Sequence, residues 1–175
     1  RGPHYRLDAE VLRDIALWAS DLLDPHMGGE GVKPYQPAGL WKALAHPASN
    51  TKQYQQDKGR MVYRRSLYVY WKRTSPHPMM MLFDAPSRES SCVQRSRTNT
   101  PLQALIMMND IQFVEAARKL AERMMTQVGT KPKQRIEFAF RMATSRRPTA
   151  DETALFLEMY HDHLAEYRKD QKAAL

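Results

Sequence analysis

The densest supply of side chains able to bind an ion or move a proton lies between Phe83 and Pro101. The stretch reads Phe83-Asp84-Ala85-Pro86-Ser87-Arg88-Glu89 and then Arg95-Ser96-Arg97-Thr98-Asn99-Thr100-Pro101. Arg88, Arg95 and Arg97 carry planar guanidinium forks that suit carboxylate, sulfate or phosphate. Asn99 and Thr100 stand beside them, next to the free N–H groups of a helix expected to start after Thr100. Together they make a candidate anion-binding set. The same residues also read as structure. Asp84 and Glu89 would then pair with these arginines and fasten an irregular loop whose backbone needs partners. Ion-pair networks of that kind are common, and the composition favours them here.

Nucleophilic chemistry has weaker support. Ser87, Ser90, Ser91 and Cys92 sit in the same loop, with His77 or His46 as a base and Asp84 as its orienter. No Gly-x-Ser-x-Gly elbow exists to expose a serine on a strained turn. Loop serines and a small buried or half-buried thiol are the expected reading. The six histidines form no metal pattern. His161 and His163 lie two apart and diverge on a helix, where ligands need a spacing of three or four. We expect no catalytic and no metal-ligating residues in this segment. A single cysteine excludes an internal disulfide and any cysteine-built cluster, and no Cys-x-x-Cys-His motif is present to attach haem here.

Charge singles out the same region. The 175 residues carry a formal charge of +8. Residues 60–97 hold eight cations, seven of them arginine, against two acids, whereas residues 148–175 hold six acids against three cations. Such polarity attracts an acidic ligand or an acidic neighbouring surface to the middle of the chain. With 42% hydrophobic residues the chain is not disordered, and no apolar run is long enough for a membrane span. It begins at Arg1 without an apolar signal core, so we read it as a piece, expected to be the C-terminal part, of a longer multidomain protein.

The elements that must hold this loop are helical. Val11, Leu12, Ile15, Trp18, Ala19, Leu22 and Leu23 predict a helix over 8–23, capped by Asp8 and stopped by Pro25. Residues 24–39, rich in proline and glycine, predict an ordered strap, and Leu40, Trp41 and Leu44 a short helix. The polar stretch 48–58 is the expected mobile segment. Residues 60–73 fit either period: Tyr63, Leu67, Tyr70 and Trp71 are helical, while Leu67, Val69 and Trp71 alternate. We favour helix, because no second strand is available, with the aromatics as core and the cations on the solvated face. Residues 74–100 predict a long irregular connection, of a length often kept for function. Thr100-Pro101-Leu102-Gln103 is a capping box with proline at the first helical position. The apolar stripe then runs to Gly129 with a restart at Asn109-Asp110. Helices over 132–144 and 149–170 follow, the last opened by Thr149 and Glu152. The eleven methionines read as adaptable packing. The fold class is all-α: a single helical domain over 1–175, of about five to six helices, with a long ordered Arg-rich central loop.

The strings Tyr63-Arg64-Arg65-Ser66-Leu67-Tyr68, Trp71-Lys72-Arg73-Thr74, Phe83 to Glu89 and Arg97-Thr98-Asn99-Thr100-Pro101-Leu102-Gln103-Ala104-Leu105 are specific. With Arg146-Arg147-Pro148-Thr149 and Lys33-Pro34-Tyr35-Gln36-Pro37, they resemble the planctomycete-type C-terminal domain of unknown function. That domain accompanies planctomycete cytochrome c domains in large proteins. The resemblance brings no catalytic residues. It implies an exported bacterial protein, periplasmic or at the cell surface, with haem elsewhere in the full-length chain and no cofactor in this segment. The expected function is a non-enzymatic binding or assembly domain, its Arg-rich loop docking an adjacent domain or an acidic ligand such as an anionic glycan. The alternatives are an enzyme acting on a polysaccharide or ester through Asp84 and Glu89, and weak nucleic-acid binding from generic charge. Nucleic acid is not the expected partner.

Overall fold

The computed structural model describes residues 5–170. They form seven α-helices: α1 (Ala9–Ala19), α2 (Leu40–Leu44), α3 (Pro78–Leu82), α4 (Pro101–Asn109), α5 (Ile111–Gln127), α6 (Pro132–Thr144) and α7 (Ala150–Lys169). No β-strand occurs among the described residues, so the fold is all-α. The chain divides into two compact units, residues 1–117 and 118–175.

In the first unit, α1 buries Ala9, Arg13 and Leu17, successive positions of one face at a spacing of four. It ends four residues short of the sequence expectation. The Ser20 hydroxyl donates to the Ala16 carbonyl at 2.8 Å, and Asp21 turns left-handed at φ 64° before Pro25 is reached. The core gathers Ala9, Val69, Met79, Met80, Phe83, Ala85 and Phe113, with Leu12, Ala16, Trp71 and Ile106 against it. Phe83 and Phe113 meet edge to face at 6.5 Å, a favourable arrangement of ring quadrupoles.

Residues 60–73 are neither the expected helix nor a strand. They make two short 3-10 turns, Gly59–Tyr63 and Ser66–Tyr68, separated and followed by extended backbone. That backbone pairs with the strap at two isolated parallel bridges, Asp24 with Arg64 and Val32 with Val69. Val32 N–H donates to the Tyr68 carbonyl at 2.7 Å, and Tyr70 N–H to the Val32 carbonyl at 2.8 Å. The strap supplies the backbone partners that a continuous helix would have found within itself. Period counting ignores such partners, which is why the sequence admits both periods.

The connection 74–100 also departs from expectation, because α3 lies within it. Pro78 opens this helix, and its Met79 and Met80 enter the core. The capping box at Thr100 forms, with Thr100 N–H donating to Gln103 Oε1 at 3.1 Å. Helices α4 and α5 are interrupted at Asp110, whose carboxylate accepts from Gln112 N–H at 2.9 Å and restarts the helix.

In the second unit, α6 packs against α7, with Phe140 and Phe156 edge to face at 5.9 Å. Thr149 and Glu152 form the second capping box, and Arg146 grips Glu152 through two bonds of 2.8 and 2.6 Å. The Arg146 guanidinium and the Thr149 N–H hold the Glu152 carboxyl down to about 2. A folded-state pKa below the unfolded one adds stability above the unfolded value and loses it as pH falls. Acid titration followed by circular dichroism is therefore expected to fray the start of α7 between about pH 4.5 and 2. Glu152→Gln should flatten that limb; an unchanged limb would remove Glu152 as its source.

Candidate functional site

The structure splits the predicted arginine set. Arg95 and Arg97 come together on the first turn of α1. Arg95 Nη1 donates to Glu10 Oε2 at 2.8 Å and lies 3.5 Å from Asp8, while Arg97 Nε lies 3.7 Å from Asp8. The Glu10 hydrogen bond raises the pKa of Arg95 above its ordinary value. The Arg97 guanidinium also covers the Tyr5 ring at 4.1 Å. Arg88 goes elsewhere. It adopts a left-handed backbone, φ 61°, and lays its guanidinium over the Trp71 ring at 4.8 Å. Trp71 Nε1 in turn donates to the Ser87 carbonyl at 2.8 Å. Asn99 and Thr100 are exposed at the start of α4.

The two loop carboxylates pair with cations outside the predicted set. Asp84 Oδ2 accepts from Arg6 Nη2 at 2.5 Å and from the N–H and hydroxyl of Thr98, both at 2.8 Å. Partial burial pushes the Asp84 carboxyl up, but the Thr98 bonds and Arg6 together outweigh it and hold the group below its usual range. Gln103 Nε2, from α4, bonds the Thr98 hydroxyl at 2.9 Å and the Leu82 carbonyl at 2.8 Å, tying the loop's far end to α3. Glu89 takes both fork donors of Arg73 at 2.6 Å. Neither acid keeps the uncommitted geometry that proton transfer at a bound substrate requires.

The remaining chemical candidates do not assemble either. His77 is buried, its Nε2 bonded to the Tyr35 carbonyl at 2.8 Å, and burial pushes its pKa down. His46 is exposed, and its Nδ1 accepts from Ala48 N–H. Among the described residues, no loop serine bonds to either ring. Cys92, expected to be buried or half-buried, is exposed, because the segment around it lies out in solvent. Among the described residues no group of three or more His, Cys, Asp or Glu could hold a metal ion.

Two arginines outside the predicted set, Arg13, which sequence reasoning passed over, and Arg64, which it placed on a solvated face, are the most deeply buried charges among the described residues. Arg13 is 1% exposed. Its Nε donates to Gln112 Oε1 at 2.6 Å, Nη1 to the Arg64 carbonyl at 2.8 Å, and Nη2 to the Val62 carbonyl at 2.7 Å. Arg64 is 2% exposed, not on a solvated face as expected. Its fork gathers the carbonyls of His26, Gly28 and Glu30, and its guanidinium lies 4.0 Å over the Tyr68 ring. Gly28 and Gly29 take φ of 84° and 83°, which lets the strap curl around that fork. The only sequence signal was position: Arg13 falls between Ala9 and Leu17 on the buried face of α1.

What remains accessible is a loop ordered from beneath and uncovered above. Residues 87–94 and 96–102 are exposed, and Val93 is wholly so. An open recess of about 720 Å³ lies beside Asp8, Gln94, Arg95 and Arg97. In comparison with known proteins, the chain matches the family model described as PSD1, protein of unknown function (DUF1553), over residues 1–160. The chain belongs to this family. No curated protein and no solved structure was found to match it.

Proposed function

We propose that this DUF1553 chain is a non-enzymatic binding and assembly domain whose Arg-rich loop docks an acidic surface of an adjacent domain in a longer polypeptide. The observation that carries the reading is the loop's state. Asp84 is engaged by the largely covered Arg6 and Glu89 by the exposed Arg73, while Arg88 and residues 90–94 face solvent. The bonds at Asp84, Glu89 and Arg95 pin both flanks of this stretch, which lowers the entropy lost on docking. A small free anion is the weaker fit, since Asp8 and Glu10 already balance Arg95 and Arg97 locally. The engaged state of Asp84 and Glu89 supports the non-enzymatic reading over a hydrolase. The wider setting is an exported protein with a haem domain elsewhere; its support is the likeness of the central strings to the planctomycete-type domain.

The test is association in trans. The chain and the remainder of the full-length protein, prepared separately, should bind with salt-sensitive affinity. Arg88→Glu should weaken that association about tenfold, equivalent to about 1.4 kcal/mol. No association at low salt, or full affinity in the charge-reversed variant, would overturn the reading.

A further inference from the structure

A second place in the first unit has the composition of a ligand site. Trp41, the residue that α2 buries, stands between two open clefts of about 400 and 390 Å³. Lys52 and Gln53 border both. The first cleft adds Lys33, Asn50, Gln55 and Tyr70; the second adds Gln36, Lys42, Tyr54 and Gln56. Each volume falls in the range of small-ligand sites.

Three features define what would fit. The first is charge: three lysines and no acid line the two clefts. The nearest acid of the segment, Asp57, is committed to the Lys33 backbone N–H at 2.7 Å. The second is unmet donor capacity. Trp41 is 3% exposed, yet its indole Nε1–H has no acceptor, and Gln36 Nε2 is likewise buried without one. A buried donor without a partner is costly; both atoms are covered, so a ligand oxygen would remove that cost only by a small shift of the side chains over them. The third is an aromatic wall beside a run of amides. Trp41 meets Tyr54 edge to face at 4.9 Å and Tyr70 at 5.7 Å, and Tyr70 is 40% exposed. Lys72 Nζ sits 4.4 Å over the Trp41 ring and is anchored on the Thr51 carbonyl at 2.7 Å, fixing the indole in place.

Cations, unpaired donors, side-chain amides and a part-exposed tyrosine, with Lys33 Nζ 5.5 Å over its ring, select a ligand that is anionic, rich in hydroxyl groups, and apolar on one face. From this we infer that the paired clefts around Trp41 bind an anionic saccharide, its carboxylate or sulfate between Lys33 and Lys52 and its ring against Tyr70. The site is separate from the Arg-rich loop and stands whether or not that loop docks a domain.

The indole N–H resonance of Trp41 reports directly on the site. Trp41→Phe assigns it, and Trp18→Phe with Trp71→Phe assigns it by elimination should the first variant fail to fold. Titration of the ¹⁵N-labelled protein with tetragalacturonate or a sulfated oligosaccharide should shift this resonance saturably. The methyl-esterified, neutral tetrasaccharide and the Lys52→Met variant should each bind at least tenfold more weakly, while Arg88→Glu binds as wild type. No shift with either anionic saccharide would overturn the inference. So would an equal response to polyglutamate or a nucleotide, or loss of binding in Arg88→Glu with none in Lys52→Met.

Discussion

Arg13→Leu is expected to destabilise the first unit by about 3–5 kcal/mol, since three buried neutral acceptors lose a charged donor at about 1–3 kcal/mol each, less what the leucine side chain regains by burial. Leucine fills much of the space but leaves Gln112 Oε1 and the carbonyls of Val62 and Arg64 without their donor. Each buried acceptor left unmade has its own desolvation cost. Gln112 also donates Nε2 to the Val62 carbonyl at 3.1 Å, so the loss spreads from α1 to α5. Burial lowers the Arg13 pKa to about 10, which still leaves it charged at neutral pH. The fold therefore keeps a desolvated cation in place through fork geometry. Arg13→Lys tests that point, since one ammonium cannot reach donors set by a planar fork. It should lose most of the same stability. Urea unfolding checks both variants, and a loss under about 1 kcal/mol in each would show that the buried network is dispensable.

Arg64→Met should cost about 2–4 kcal/mol, from charge-assisted bonds to backbone carbonyls and the stacking on Tyr68. The effect has a location as well as a size. Residues 24–32 make no helix or sheet of their own, and the Arg64 fork fills the space beside Gly29, 3.6 Å from where a β-carbon would stand. Hydrogen exchange should therefore accelerate at Val32 and Tyr70, whose N–H groups bridge the strap to the 59–70 segment, before it does in α5. Uniform acceleration across the first unit would instead mean that Arg64 acts on global stability alone.

These two residues also mark how far the chain could be understood without coordinates. Where a cap or a helical stripe is specified by neighbours in sequence, it was mostly legible, although α3 and the early stop of α1 at Ser20 were not. The capping boxes at Thr100 and Thr149 form with their Gln103 and Glu152 partners, the restart at Asp110 is present, and α6 occupies its expected range. Caps and helical stripes depend on residues three or four positions apart. The loop's polar density was equally visible, but its pairing was not. Asp84 found Arg6, 78 positions away, and Arg95 found Glu10, 85 positions away.

Sequence by itself thus determined the helical class, most helix boundaries in the second half, the concentration of arginine in the middle, and the family likeness. Tertiary structure alone decided which arginines are buried, that residues 60–73 run along the strap, and that Trp41 stands between two donor-rich clefts. The physical reason is one of range. Helical order is set by hydrogen bonds within a turn, whereas these two charges are buried by partners that folding brings from far along the chain, 34 to 38 residues away for Arg64 and 49 to 99 for Arg13.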